Sequence, residues 1–150
     1  MNNATKLSAC SVFEGRVVVS GGLNNGILNT VEAYDHVGDV WENMPNMIAG
    51  RCEHKTVAVK NKLFVIGGIV TNSCEVYDSN TNKFTLLKQP SLASGFDLRF
   101  PFEVIAFGNN FFVFRQYSDV KIYDFENNEW SVKTCEATKN IKFFSVLKYM

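Results

Sequence analysis

The stretch VVVSGGLNNGILNTVEAYDHVGDVW, residues 17–41, contains the features that decide the fold. A run of β-branched residues stops at a pair of glycines, and a Tyr-Asp pair then precedes a tryptophan by a short distance. Glycines weaken the interior of a strand, so a pair of them indicates a sharp turn or the close approach of another backbone. If such a feature serves one structural unit, it should recur wherever the unit recurs.

The features do recur along the chain. A second glycine pair ends at Gly68, 46 residues after Gly22. Tyr-Asp pairs stand at 34–35, 77–78 and 123–124, and each tyrosine precedes an aromatic residue by seven positions, namely Trp41, Phe84 and Trp130. A period of roughly 45 residues is typical of propeller blades. The sequence therefore predicts three copies of one unit.

Each unit has the pattern of four short strands, without helical spacing of apolar residues. In the second copy we predict strands at 54–59, 62–66, 73–77 and 83–87, separated by turn-forming residues. Such a sheet cannot bury both of its faces alone, so each sheet must pack on the next, with Trp41, Phe84 and Trp130 in the seams. The prediction is an all-β chain of about three four-stranded antiparallel blades in a single domain, 1–150. The blades span about 8–50, 51–91 and 92–140, and a terminal strand follows at about 141–150.

These landmarks resemble the kelch repeat. Gly-Gly after an apolar strand, then Tyr-Asp, then Trp is its signature, and VFEGRVVVSGGLNNGILNTVEAYD is similar to kelch-like proteins of the BTB-kelch type. The resemblance covers about residues 8–130, although Arg115 and Gln116 replace the glycines in the third copy. It implies a partial kelch β-propeller, the C-terminal kelch portion only, because the family's BTB and helical linker domains do not fit in this chain. Kelch rings generally have about six blades, so open blade faces make self-association a further expectation.

Composition and motifs exclude several classes of function. Lys+Arg and Asp+Glu are 15 each, without a basic stripe, so neither nucleic acid nor a membrane surface is an expected partner. No apolar stretch approaches the ~20 residues of a spanning helix and no signal segment is evident, which predicts a cytoplasmic protein. No metal, redox, nucleotide or hydrolase motif is present. We therefore expect no enzymatic activity, no catalytic residues, no cofactor and no metal.

Three kinds of polar residue have structural interpretations. The recurring Asp35, Asp78 and Asp124 are expected to cap turns rather than to catalyse. A hydrogen-bonded role at a strand end is the first expectation for His54. Cys52 is expected to be a small apolar filler, with a thiol mildly activated by the neighbouring arginine as the alternative.

The expected function is protein binding at one face of the sheets. Strands alternate direction, so the loops between second and third strands share a face with the loops that join blades. Loop length varies on this face, with twelve residues from Gly22 to Tyr34 and nine from Gly68 to Tyr77. The resemblance implies a protein-protein interaction module like the substrate-recognition part of a BTB-kelch adaptor of a cullin-RING ubiquitin ligase. A structural module that binds actin or other cytoskeletal partners is the alternative.

Six residues are the candidates for contact with a partner. Arg51 and Arg99 occupy equivalent positions, where a blade-joining loop enters the next strand, and loops on the same face carry Asn24, Asn25, Tyr117 and Ser118. Guanidinium groups donate two parallel hydrogen bonds to carboxylates, so an acidic peptide is the first partner to test. Alternatively, each arginine only braces its own loop.

Overall fold

The computed structural model describes residues 1–2, 4–89, 97–99, 101–115 and 119–134. In this part of the chain every named element is a strand, in the order β1 (Ala9–Phe13), β2 (Arg16–Ser20), β3 (Val31–Asp35), β4 (Val40–Met44), β5 (Lys55–Val59), β6 (Lys62–Ile66), β7 (Cys74–Asp78), β8 (Lys83–Leu86), β9 (Glu103–Phe107), β10 (Asn110–Phe114), β11 (Val120–Asp124) and β12 (Glu129–Lys133). No helix among these residues is long and apolar enough to cross a membrane. The predicted terminal strand at 141–150 lies outside the described residues.

The strands form three four-stranded antiparallel sheets, each made of consecutive strands: β1–β4, β5–β8 and β9–β12. The predicted fold class is therefore confirmed, and the four strands predicted for the second copy agree with β5–β8 to within one residue at each end. The chain divides into two compact units, 1–101 and 102–150, so the first and second sheets belong to one unit and the third sheet to the other. The single domain of 1–150 stays a prediction.

The repeated Tyr and Trp positions are cross-strand pairs. Each tyrosine lies directly opposite its aromatic partner across a hairpin, with ring centroids 5.2, 5.2 and 5.1 Å apart in the pairs Tyr34–Trp41, Tyr77–Phe84 and Tyr123–Trp130. Each tyrosine hydroxyl also donates a hydrogen bond to a turn residue five positions later, at 2.6 Å to Asp39, 2.9 Å to Asn82 and 2.6 Å to Asn128. The seven-residue spacing in the sequence is thus the register of one recurring hairpin.

The recurring aspartates cap these hairpins. The Oδ1 atoms of Asp35, Asp78 and Asp124 each accept a hydrogen bond at 2.9 Å from the backbone N–H two positions later. A side chain that bonds its own backbone in this way holds a turn in place. The turn-capping role expected from the sequence is confirmed for all three.

A hydrophobic core joins the first and second sheets. Its buried members come from both sheets and from the loop between them: Phe13, Val18, Val31, Ala33, Met47, Leu63, Val65 and Tyr77. The rings of Phe13 and Tyr77 meet edge to face, with centroids 5.8 Å apart, and Phe84 packs against the cluster. Phe84 therefore has the expected place in a seam, whereas Trp41 is half-buried against Tyr34 of its own sheet.

The glycine pair after β2 lies against the loop that leads into the second sheet. Gly21 and Gly22 have φ of +56° and +103°, and Gly22 N–H donates to the Arg51 carbonyl at 2.7 Å. A Cβ added at Gly21 would collide with the same carbonyl oxygen and lie 2.8 Å from His54 Cε1. The pair is thus required both by a left-handed backbone and by close approach of the neighbouring chain, as the sequence predicted.

Candidate functional site

An open groove runs along the loop between β2 and β3. It has a volume of about 550 Å³ and is lined by residues 4–6 and 23–26, including Asn24 and Asn25. The backbones of Lys6 and Leu23 pair across it, at 3.3 and 2.8 Å between N and O atoms, and Asn24 N–H donates to the Gly26 carbonyl at 3.0 Å. The loop is therefore held in shape while both asparagine side chains remain exposed. Carboxamides both donate and accept hydrogen bonds, so this groove can pair with a peptide backbone.

Arg51 lies inside the protein rather than on its surface. Its side chain is 0% exposed, as is that of Glu75, and Arg51 Nη2 donates to Glu75 Oε1 at 2.6 Å. Arg51 Nη1 donates to the carbonyls of Gly67 at 2.8 Å and Ser73 at 2.6 Å, while Nη2 also donates to Ser73 Oγ. Glu75 in turn accepts backbone hydrogen bonds at 2.7 and 3.0 Å from residues 48 and 49.

These contacts bind the loop between the first and second sheets to the ends of β6 and β7. The buried guanidinium donates hydrogen bonds to one carboxylate, one hydroxyl and two backbone carbonyls. Contacts of this kind act as a brace, because they fix the position of the loop that carries the arginine. The structure thus supports the second interpretation of Arg51, that the arginine holds its own loop. Contact between Arg51 and a partner protein stays a prediction.

Arg99 has a different environment from Arg51. Its side chain is 55% exposed, and its guanidinium donates to Asp97, with Nε–Oδ1 at 2.9 Å and Nη2–Oδ2 at 2.7 Å. The side-chain hydrogen bonds from Arg99, followed by one from its backbone N–H, hold the pKa of Asp97 far below its usual range. Arg99 is therefore accessible to a partner, although its guanidinium already pairs with the carboxylate of Asp97. Tyr117 and Ser118 lie outside the described residues.

Glu75 is the residue that sequence reasoning missed. It is the second residue of β7, two positions before the repeated tyrosine, and the first unit has Glu32 at the same place. Glu32 is also buried, at 5% exposure. An acidic residue repeated at a strand position that is buried in both copies is the signal that could have identified a cationic partner, since buried carboxylates need one.

His54 and Cys52 lie close to the glycine pairs that follow β2 and β6. His54 is 2% exposed, and its Nε2 is 2.8 Å from Ser20 Oγ, so the hydrogen-bonded strand-end role is confirmed. Burial, followed by the charges of Arg51 and Lys55, lowers the pKa of His54 to about 4. Burial raises the pKa of the Cys52 thiol, with the charge of Glu53 adding to the effect, so the alternative of an activated thiol is wrong.

We expect the free energy of unfolding to fall as the pH is lowered from 6.5 towards 4. The unfolded chain takes up a proton on His54 near pH 6.5, whereas the folded chain resists protonation down to about pH 4. The unfolded state thus binds more protons throughout this window, and up to about 3 kcal/mol of stability is lost as the pH falls through it. Urea titrations at a series of pH values measure the effect. Carboxylates titrate in the same range, so the His54→Gln variant is the control, and equal pH dependence in both proteins would contradict the assignment.

Comparison with known proteins decides the family. The model of the Kelch motif matches residues 4–48 and 50–91, together more than half of the chain. The chain belongs to the kelch-repeat family. The two matched segments contain β1–β4 and β5–β8, so the first and second sheets each correspond to one kelch motif.

The kelch chain has relatives among animal and viral proteins. It is 27% identical over 145 residues to Kelch-like protein 25 of Xenopus tropicalis, an alignment that covers 85% of this chain and 24% of that protein. It is 36% identical over 84 residues to Kelch repeat and BTB domain-containing protein 1 of camelpox virus (strain CMS), covering 50% and 15%. It is 30% identical over 76 residues to Kelch-like protein 40 of Xenopus tropicalis, covering 50% and 12%. The chain thus spans less than a quarter of the length of each of these relatives.

The family and the geometry agree on the kind of function. Kelch-repeat proteins are generally interaction modules and not enzymes, and kelch domains generally bind protein partners. The first and second sheets each match a kelch motif, and the third sheet has the same four-stranded antiparallel order, which is the fold class of a partial kelch propeller. This chain is accordingly a protein-interaction module, with the open groove at 4–6 and 23–26 as a candidate surface.

Proposed function

We propose that this kelch chain captures a partner protein and serves as the substrate-recognition part of a BTB-kelch adaptor of a cullin-RING ubiquitin ligase. The observation that carries the proposal is the open groove of about 550 Å³ on the face where loop lengths vary between repeats. A rigid sheet with exposed polar loops of unequal length is the usual arrangement for recognition. The proposed place of action is the cytoplasm.

The names of the relatives support the adaptor role. One of them is a Kelch repeat and BTB domain-containing protein, and the chain matches 15% of its length. In the proposed adaptor, the BTB domain would contact the ligase scaffold while the kelch blades hold the substrate. None of the three relatives described above carries a name that refers to actin or the cytoskeleton, so the cytoskeletal alternative is not favoured.

The proposed contact residues differ in their exposure and in the contacts that they already make. Asn24 and Asn25 are exposed on the groove and are the first candidates. Arg99 is exposed and can add a carboxylate contact, which keeps an acidic peptide among the proposed partners. Arg51 is a weaker candidate because Glu75 engages its guanidinium, and Tyr117 and Ser118 are retained from the sequence alone.

A fusion experiment tests the adaptor role. We expect the 150-residue chain alone not to retain a purified cullin, and a BTB domain with its linker fused before Met1 to bring the cullin together with the captured partner. Ubiquitin transfer to the partner, measured by mass spectrometry, is the readout. The double change Asn24→Glu, Asn25→Glu should abolish transfer to that partner.

The matched control is Asn80→Glu, which adds a charge at an exposed position in the turn between β7 and β8, on the opposite side of the sheets. Transfer should survive this change. Cullin binding by the unfused chain, or equal loss of transfer in both variants, would contradict the proposal.

A further inference from the structure

A row of apolar side chains crosses the first sheet on the face opposite to the second sheet. The four residues of this outer row lie directly opposite one another on β1 to β4: Val12, Val17, Tyr34 and Trp41. Side chains that are directly opposite each other in neighbouring strands share one face of a sheet. Phe13 and Val18 come next along β1 and β2, so they point to the other face, where they are buried in the core shared with the second sheet.

The second sheet has the same row, and there the row is covered. Its members are paired across β5 to β8 in the same register: Ala58, Leu63, Tyr77 and Phe84. All four lie in the core that joins the first and second sheets or pack against it. The aromatic pairs of the two rows have nearly the same geometry, with ring centroids 5.2 Å apart in both and interplanar angles of 40° and 44°. The outer row therefore has the form of a surface that packs against another sheet.

The outer row is nevertheless exposed. Val12 is 65% exposed and Val17 is 44% exposed, whereas Leu63, which corresponds to Val17, is 0% exposed. Met1 extends the apolar surface, because it lines a small cavity together with Val19 of β2. Met47 stands at the corresponding place in the second unit and is buried in the core, while Met1 is exposed. A continuous row of exposed apolar side chains is typical of a protein–protein contact.

This face of the first sheet has one carboxylate and no Lys, Arg or His. The pairing of β1 to β4 places eight side chains on it: Cys10, Val12, Val17, Val19, Glu32, Tyr34, Trp41 and Asn43. Glu32 is buried and accepts a hydrogen bond at 3.0 Å from the backbone N–H of Asn2. Asp39 borders the row and accepts the Tyr34 hydroxyl at 2.6 Å. The face therefore suits an apolar surface rather than a charged one, and two such faces can meet without burying a charge.

We propose that the outer row is a self-association surface, at which the first sheets of two copies of this chain pack face to face about a two-fold axis. Two-fold contacts of this kind are the commonest in homo-oligomers, and they require a surface that is complementary to itself. The outer row has this property, since valines form one half of it and aromatic rings the other. An axis parallel to the strands places the valines of each copy on the aromatic rings of the other copy.

The contact between the first and second sheets explains why each copy would use the same row. The residues that cover Tyr77 in the second sheet include Phe13, whose ring meets the tyrosine ring edge to face at 5.8 Å. Phe13 and its neighbours are already buried within their own chain, so a second copy cannot offer them to Tyr34. It can offer its own outer row, which is exposed. The outer row shares no residue with the groove at 4–6 and 23–26, so this surface is additional to the one proposed for partner capture.

Sedimentation equilibrium of the purified 150-residue chain tests this surface. We expect a reversible equilibrium between monomer and dimer at submillimolar concentration. Val17→Glu should weaken the dimer about tenfold or more, because a carboxylate would be buried in the contact without a cation, and Val12→Glu should act in the same way. The matched control is Val37→Glu in the turn between β3 and β4, since Val37 is 84% exposed and lies outside the row. This variant should dimerise as the unaltered chain does.

Methyl NMR of the unaltered chain at a series of dilutions locates the contact without any substitution. The methyl signals of Val12 and Val17 should shift with protein concentration, and those of Val37 should not. A chain that remains monomeric at submillimolar concentration, or a dimer that survives both Val17→Glu and Val12→Glu, would overturn the proposal. Constant methyl signals of Val12 and Val17 during dimerisation would overturn it as well. No other protein is present, so the result is independent of partner capture at the groove.

Discussion

Arg51→Ala is expected to lower the free energy of unfolding by about 3–5 kcal/mol, because it leaves the carboxylate of Glu75 buried without its cation. Both side chains are 0% exposed, so water cannot replace the lost guanidinium without opening the seam between the first and second sheets. The carbonyls of Gly67 and Ser73 would lose a donor at the same time. Urea denaturation followed by tryptophan fluorescence measures the loss.

Two variants distinguish a buried brace from an arginine at the binding surface. Arg99→Ala removes an arginine from an exposed pair and should leave the unfolding free energy nearly unchanged, because solvent screens that pair. The double variant Arg51→Met, Glu75→Leu removes both charges and should recover much of the stability lost in Arg51→Ala. If Arg51→Ala instead leaves stability unchanged and weakens partner capture, Arg51 belongs to the binding surface and the brace is wrong.

Gly68→Val is expected to destabilise the chain by about 4 kcal/mol, through backbone strain and steric overlap together. Gly68 has φ of +119°, a conformation that a β-branched residue rarely adopts. A Cβ there would lie 2.9 Å from the Cys52 carbonyl oxygen and 3.2 Å from His54 Cβ. Neither neighbour can withdraw easily, since one is backbone and the other belongs to a buried side chain.

Two other glycines provide a graded control for this effect. Gly15 has φ of +76° but nothing within 4 Å of an added Cβ, so Gly15→Ala should cost only the strain, about 1–2 kcal/mol. Gly26 has neither a positive φ nor a neighbour within 4 Å, so Gly26→Ala should be close to neutral. Thermal and chemical unfolding of the three variants should therefore rank them in this order. A neutral Gly68→Val would mean that the strand end is placed wrongly.

The fold could be predicted from the sequence because its landmarks are local. Tyr77 and Phe84 are paired through a single hairpin, and Asp78 caps the turn between them, so spacing alone reveals the register. The glycine pairs are equally readable, since their positive φ values and close contacts leave no other residue type. Repetition of these local patterns was sufficient to predict three antiparallel sheets.

The role of Arg51 could not be decided in this way. An arginine at the end of a loop can point outward to a partner or inward to a carboxylate, and its sequence neighbours are the same in both cases. Its carboxylate, Glu75, lies 24 residues away on another strand and meets it only in the folded unit.

The site formed by the asparagines of the groove could be predicted from the sequence only in part. Asn24 and Asn25 were recognisable as loop residues from their place beside Gly26, and the structure exposes both. The groove beside them is formed by residues 4–6, whose pairing with Leu23 is not evident from the repeat pattern. Sequence therefore predicted the loop, while the concave surface came from the structure.

Site-specific photo-crosslinking in cells tests the central claim, that this kelch chain captures a protein at the groove of residues 4–6 and 23–26. A benzophenone amino acid would replace Asn25 in one protein and Asn80, on the opposite side of the sheets, in another. We expect the Asn25 position to crosslink reproducibly to a particular protein, and the Asn80 position not to do so. Crosslinks to the same proteins from both positions, or a specific crosslink from Asn80 alone, would contradict capture at the groove.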